Sequence, residues 1–157
     1  MRRLLLGLIL PLSFIIMSAS AQAAFGDLFR PRPNFGSPGN VVAHIDISSQ
    51  RLDLTVNGIP YGSYAVSTAR AGYHTPRGRY GVTRLAKVYY SKKYDNAPMP
   101  NSVFFYGGYA IHGTGHIANL GRPASHGCVR LAPQNAAMLF SLVQKYGARH
   151  TRIILTD

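Results

Sequence analysis

The sequence predicts a mainly β domain, of sandwich or barrel type, with one α-helix in its C-terminal half. Three observations carry this reading. Short runs of alternating apolar and polar residues begin at Val41, clusters of Gly, Pro, Asn and Ser separate them, and only Pro133–Tyr146 shows clear helical periodicity. Val42-Ala43-His44-Ile45-Asp46-Ile47 alternates, Ser48-Ser49-Gln50 turns, and Leu52-Asp53-Leu54-Thr55-Val56 alternates again. Asn57-Gly58 follows, a strong two-residue hairpin signal because both residues tolerate positive φ. Tyr61–Thr68 then reads as a third strand. The loop Tyr73–Tyr80 leads into an expected strand over Tyr80–Val88, and Asn96–Asn101 is a turn placed before the strand Val103–Tyr106. Tyr109-Ala110-Ile111 is expected as a strand ending at His112. In the helix, Pro133 suits the first position, Leu139, Leu142, Val143 and Tyr146 share a face, and Gly147 stands just past the end. Arg152–Leu155 closes the chain as a strand.

The first residues read as an export signal. Met1-Arg2-Arg3 is positive, Leu4–Met17 is almost wholly apolar, and Ala21-Gln22-Ala23 fits a small-x-small cleavage site. The apolar run is shorter than the roughly 20 residues that span a bilayer, so a cleaved leader over 1–23 is expected rather than a retained anchor. Residues 24–40 are rich in Pro and Gly and read as a linker, leaving 41–157 as one domain with enough chain to bury a core. Loss of Arg2 and Arg3 with the leader lowers the formal net charge from +12 to +10. So basic a chain suits polyanionic partners. Export argues against nucleic acid and for an anionic wall polymer or outer-membrane surface in the periplasm.

Cys128 is the only cysteine, which excludes an intramolecular disulfide. An unpaired thiol is a liability in an oxidising compartment and calls for a reason. Its neighbours are polar: Ser125-His126-Gly127 precede it and Arg130 comes two residues later, whereas a core cysteine usually sits among apolar residues. A thiol becomes nucleophilic beside a base or a positive group, and His112, His126 and Arg130 are the candidates. His126 is open to three roles, as base, oxyanion donor or structural residue. Arg130 has the fork geometry that binds a carboxylate, or equally serves a surface ion pair. Tyr73, His74 and His116 read as surface residues. A zinc site through His112, His116 and Cys128 is disfavoured because Gly113 and Gly115 interrupt any helix placing both imidazoles on one face. Redox catalysis would need a second, resolving cysteine. No metal or cofactor is expected.

His112-Gly113 and Ser125-His126-Gly127-Cys128-Val129-Arg130 resemble the L,D-transpeptidase catalytic domain of the YkuD type. Ser67-Thr68, Thr75-Pro76-Arg77-Gly78-Arg79-Tyr80, Met99-Pro100 and Gly108-Tyr109-Ala110-Ile111 extend the likeness in the same order, over Val41–Asp157. Ala69-Arg70 departs from it, where members often carry glycine. The resemblance implies the mainly β fold of that domain. It also implies that Cys128 attacks the bond between the third residue of a peptidoglycan stem peptide and D-alanine. His112 would be the base, oriented by the Gly113 carbonyl, and backbone N–H groups at Gly127 and Cys128 would stabilise the oxyanion. His126 would support the site, with Ser125 and Arg130 meeting substrate. The acceptor would be a second stem peptide, giving a 3→3 cross-link, or an outer-membrane protein. The alternatives are hydrolysis of the same acyl-enzyme, as in an L,D-carboxypeptidase, and a non-catalytic basic wall-binding module. Acylation by carbapenems is a further implication.

Overall fold

A computed structural model describes residues 40–157. The expected leader, and the expected linker up to its last residue, lie outside the described residues. The first sheet has the order β3 (Ile59–Ala65), β2 (Arg51–Val56), β1 (Val41–Asp46), β11 (Thr151–Thr156), β4 (Gly78–Gly81). β1 and β11 run parallel, pairing Val41 with Thr151, and the other neighbours are antiparallel. The second sheet has the order β10 (Val129–Leu131), β9 (Tyr109–Gly113), β8 (Ser102–Tyr106), β5 (Arg84–Ala86), with β10 and β9 parallel. A small separate hairpin pairs β6 (Tyr90–Ser91) with β7 (Ala97–Pro98). The mainly β expectation holds.

The period-two pattern buries one face of each central strand. Val41, Ala43 and Ile45 of β1, Leu52 and Leu54 of β2, and Ile153 and Leu155 of β11 point inward. They share one core with Val103 and Phe105 of β8, Ile111 of β9, and Val129 and Leu131 of β10. The helix α1 (Pro133–Tyr146) has the expected bounds and packs on β9, touching β8 and β1. It buries Ala136, Leu139, Phe140, Leu142 and Val143, and Tyr146 is partly buried. Ala132 gives its N-terminus no side-chain cap, and Gly147 ends it at φ 95°. Asn57 and Gly58, both at positive φ, make the expected hairpin between β2 and β3.

Two expected strands are each divided. Tyr61–Thr68 is not one strand: β3 ends at Ala65, and the chain leaves the first sheet so that Ser67 bridges Arg130 and Ala69 bridges Ser125. Tyr80–Val88 splits into β4 in the first sheet and β5 in the second, with the crossing pinned where the Thr83 N–H donates to Phe104 O (2.8 Å). In both cases the chain changes sheets partway, and a local alternation pattern carries no record of which sheet a residue joins. The strand expected to end at His112 runs one residue further, to Gly113, where Leu131 of β10 still pairs beside it.

Candidate active site

Cys128 directly precedes β10, at the end of a turn closed by Ser125. The Ser125 hydroxyl donates to the Cys128 carbonyl (2.6 Å) and accepts the Gly127 N–H (2.9 Å). Gly127 sits at φ 128°, and a Cβ there would lie 2.6 Å from Tyr109 Cε1 and 2.7 Å from the His74 carbonyl oxygen. Only glycine meets both the conformation and the space. The segment after β3 holds the turn from below. Thr68 O accepts the N–H groups of Ala124 (2.9 Å) and Ser125 (2.8 Å). Thr68 N–H in turn donates to Gln50 Oε1 (2.8 Å), and the buried Gln50 amide donates to Thr68 Oγ1 and Ile47 O, both at 2.6 Å. Thr75 Oγ1 accepts Ala69 N–H (2.9 Å) and donates to Gly127 O (2.8 Å).

His112 lies on β9, its Cα opposite that of Arg130 on β10. The ring is 5% exposed. Its Nδ1 is 2.7 Å from the Gly113 carbonyl oxygen. A carbonyl only accepts, so Nδ1 carries the proton and Nε2 is the nitrogen left free to act as a base. Gly113 is itself held by its N–H on Pro100 O (2.8 Å), and a Cβ there would come within 3.2 Å of Pro100 Cγ.

One cavity of about 470 Å³ brings His112, His126, Cys128 and Arg130 together, with Ser125 in its wall. The β6–β7 hairpin and the residue just after it also line it, through Lys93, Tyr94, Asp95 and Met99. Tyr94 stacks on the His126 ring at 4.4 Å and 13°, and Tyr73 meets the same ring edge-on at 4.6 Å. His126 is thus wedged between two tyrosines, which suits a packing role better than free proton transfer.

Several expectations change here. Ser125 was expected to meet substrate, but it is 1% exposed and both bonds of its hydroxyl serve the turn. The Gly127 N–H, expected in an oxyanion hole, is already taken by that hydroxyl. Tyr73 and His116 were expected as plain surface; Tyr73 is exposed yet touches His126, and His116 lines the cavity. Arg130 forms no ion pair among the described residues; its guanidinium donates to Ala124 O (3.2 Å) and lines the cavity. Tyr94 and Asp95 also line the cavity, and no motif in the sequence marks them as site residues. The signal available was the basic and aromatic run Lys87–Tyr94 just before the flagged Asn96–Asn101 turn.

The electrostatics follow from burial. Desolvation holds the His112 imidazole down to about 4, with Arg130 pushing the same way and the Gly113 carbonyl opposing. Burial pushes the Cys128 thiol up, against the Ala110 N–H and Arg130, which favour the thiolate. The resting pair is therefore neutral thiol and neutral imidazole. The thiol points at the Gly108 carbonyl, 3.9 Å from Sγ. Burial also lowers His126, and Arg70 and Arg130 add to it.

The L,D-transpeptidase catalytic domain family, YkuD, matches residues 40–153. The provisionally named L,D-transpeptidase YqjB of Bacillus subtilis (strain 168) is 27% identical over 133 residues, 76% of this chain and 73% of that protein. Among solved structures, an L,D-transpeptidase from Mycobacterium tuberculosis H37Rv superposes with TM-score 0.69 at 20% identity, covering 76% of this chain. The L,D-transpeptidase from Xylanimonas cellulosilytica DSM 15894 does so with TM-score 0.64 at 27% identity, covering 88% of this chain and 70% of its own. The chain spans 58% of the Mycobacterium tuberculosis structure and 59% of a similar one from Mycobacterium smegmatis. With the motif residues on one cavity, the two-sheet fold shared with these structures and a family match across the described domain, the chain belongs to the L,D-transpeptidase catalytic domain family.

Proposed function

We propose that this chain is an exported cysteine acyltransferase that acts on peptidoglycan stem peptides in the periplasm. One observation carries the reading: the sole thiol shares a cavity with an imidazole whose Nδ1 proton is pinned on the Gly113 carbonyl. Cys128 Sγ attacks the carbonyl carbon of the bond between stem residue three and D-alanine, and His112 Nε2 takes the thiol proton. The negative oxygen so formed is stabilised by the Cys128 N–H, since Gly127 N–H is occupied. Collapse breaks the C–N bond, and the imidazolium returns the proton to the departing D-alanine amine. An amine from a second stem peptide, or from an outer-membrane protein, then displaces the thiol. Arg130 supplies a guanidinium for a substrate carboxylate. Export rests on the leader-like residues 1–23. Among the described residues no helix is long and apolar enough to cross a membrane.

A strained carbonyl tests the nucleophile directly. One of the similar structures, LdtMt1, is in complex with imipenem. Incubation of this protein with imipenem should add one acyl group by intact mass, and peptide mapping should place it on Cys128. Cys128→Ser, folded by circular dichroism, should show neither the adduct nor 3→3 cross-linking of tetrapeptide stems. A folded, reduced wild-type protein that forms no adduct and no cross-link overturns the acyltransferase and favours a wall-binding module.

A further inference from the structure

Four side-chain carboxylates stand among the described residues. Asp46 accepts from Ser48 Oγ (2.7 Å) and Ser49 N–H (3.1 Å), Asp53 accepts from the Ser63 hydroxyl, and Asp157 pairs with Arg77. Asp95 makes no hydrogen bond or ion pair among the described residues, and it is the carboxylate that lines the cavity. Its place is set by a tight turn. Ala97 N–H donates to Tyr94 O (2.8 Å), and Asp95 (φ 46°) and Asn96 (φ 52°) are both left-handed. The two residues close the loop that joins β6 to β7, just before Ala97 pairs with Ser91. The backbone thus presents an exposed carboxylate at the cavity rim, held there by Tyr94, whose ring stacks on His126. The other charges lining the cavity, Lys93 and Arg130, are cationic and suit the carboxylates of a stem peptide. Asp95 offers them nothing and repels them. It suits a positively charged group.

We propose that Asp95 is the acceptor-recognition residue, which gathers the acyl acceptor at the rim as its ammonium ion and so favours aminolysis of the thioester over hydrolysis. The inference rests on the acyltransferase reading above. Water carries no charge for Asp95 to select, whereas an amine at neutral pH is mostly ammonium. The ammonium gives one proton to solvent as it leaves the carboxylate. The neutral nitrogen attacks the thioester carbon, the C–N bond forms and the C–S bond breaks. The second nitrogen proton passes through His112 to the Cys128 sulfur, restoring thiol and neutral imidazole with no change of oxidation state.

The test uses purified protein, a tetrapeptide donor and two acceptors: Nα-acetyllysinamide, charged only at its side-chain ammonium, and uncharged hydroxylamine. Mass spectrometry separates the amide, hydroxamate and free-acid products. Asp95→Asn should raise the KM for Nα-acetyllysinamide about fivefold, the scale of one exposed ion pair, and leave its limiting rate alone. Asp95→Lys should raise that KM further. Neither should slow acyl-enzyme formation, since Asp95 only repels the donor's carboxylates, or change the ratio of hydroxamate to free acid, and high salt should narrow the gap in KM between wild type and Asp95→Asn. An unchanged KM in both variants, or an equal loss with hydroxylamine, overturns the assignment to Asp95 while leaving acyl transfer standing. Wild-type protein that forms no acyl-enzyme overturns the acyltransferase itself, and this proposal with it.

Discussion

At the candidate pair, burial keeps both partners uncharged until substrate arrives. The His112 ring is a weak base, held down to about 4, and the Cys128 thiol is pushed above its ordinary range. In the proposed acyl transfer, a neutral pair would move its proton only as Sγ meets the carbonyl carbon, unlike a preformed thiolate–imidazolium. The pH dependence has a definite sign. Protonation removes the base, so kcat/KM should fall tenfold per pH unit below about 4 and stay level from there through neutrality. An acid limb centred near the ordinary imidazole value of 6.5 would contradict the burial argument. His112→Ala should slow acylation on the order of 10²–10⁴-fold, the usual effect of losing a positioned proton acceptor. Rapid-quench acylation kinetics measure this, and a near-normal burst in the variant would move the base elsewhere.

At the element scale, the turn before β10 depends on one glycine. Alanine at Gly127 would bring its Cβ to 2.6 Å from Tyr109 and 2.7 Å from a backbone carbonyl, at φ 128°. The carbonyl cannot rotate away as a side chain might. Gly127→Ala should therefore cost about 2–4 kcal/mol, combining strained backbone with overpacking. Urea unfolding reads the cost, and a wild-type midpoint would show that the turn adapts. The same turn hangs from Gln50 in the β1–β2 turn and from Thr68 and Thr75 in the segment between β3 and β4. Ser67-Thr68 and Thr75-Pro76 were legible as landmarks, but their purpose was not, because each acts through backbone groups of a segment more than fifty positions away.

At the scale of the whole molecule, His112 ties stability to pH. Its site favours the neutral ring, so the unfolded chain binds protons more readily between about 4 and 6.5. Stability is then full above about pH 6.5 and falls as pH drops toward 4, by on the order of 3 kcal/mol from this one ring. Urea unfolding at pH 7 and pH 4.5 should show that loss, and His112→Asn should remove most of it. An equal loss in both proteins would assign the acid sensitivity to other groups. The core around the site can bear such a cost because both sheets and α1 share it, with Leu139 and Val143 packed among β-strand side chains.

Local chemistry made the helix, the inner strands and the Cys128 and His112 segments readable from the sequence alone. Pro133 and Gly147 mark the ends of α1 through their own backbone limits, and period-two burial is a property of any strand with one wet face. Those determinants act within a few residues. What the tertiary structure alone decided is which distant segments meet. The parallel pairings of β1 with β11 and β9 with β10, the two strands that change sheets, and the hairpin that sets Tyr94 against His126 and brings Asp95 to the same cavity all depend on long-range packing. The Ser125 hydroxyl shows the same limit at one atom. Its residue type suited substrate or turn equally, and only the closed turn, with Gly127 N–H and Cys128 O in reach, assigned it to the backbone.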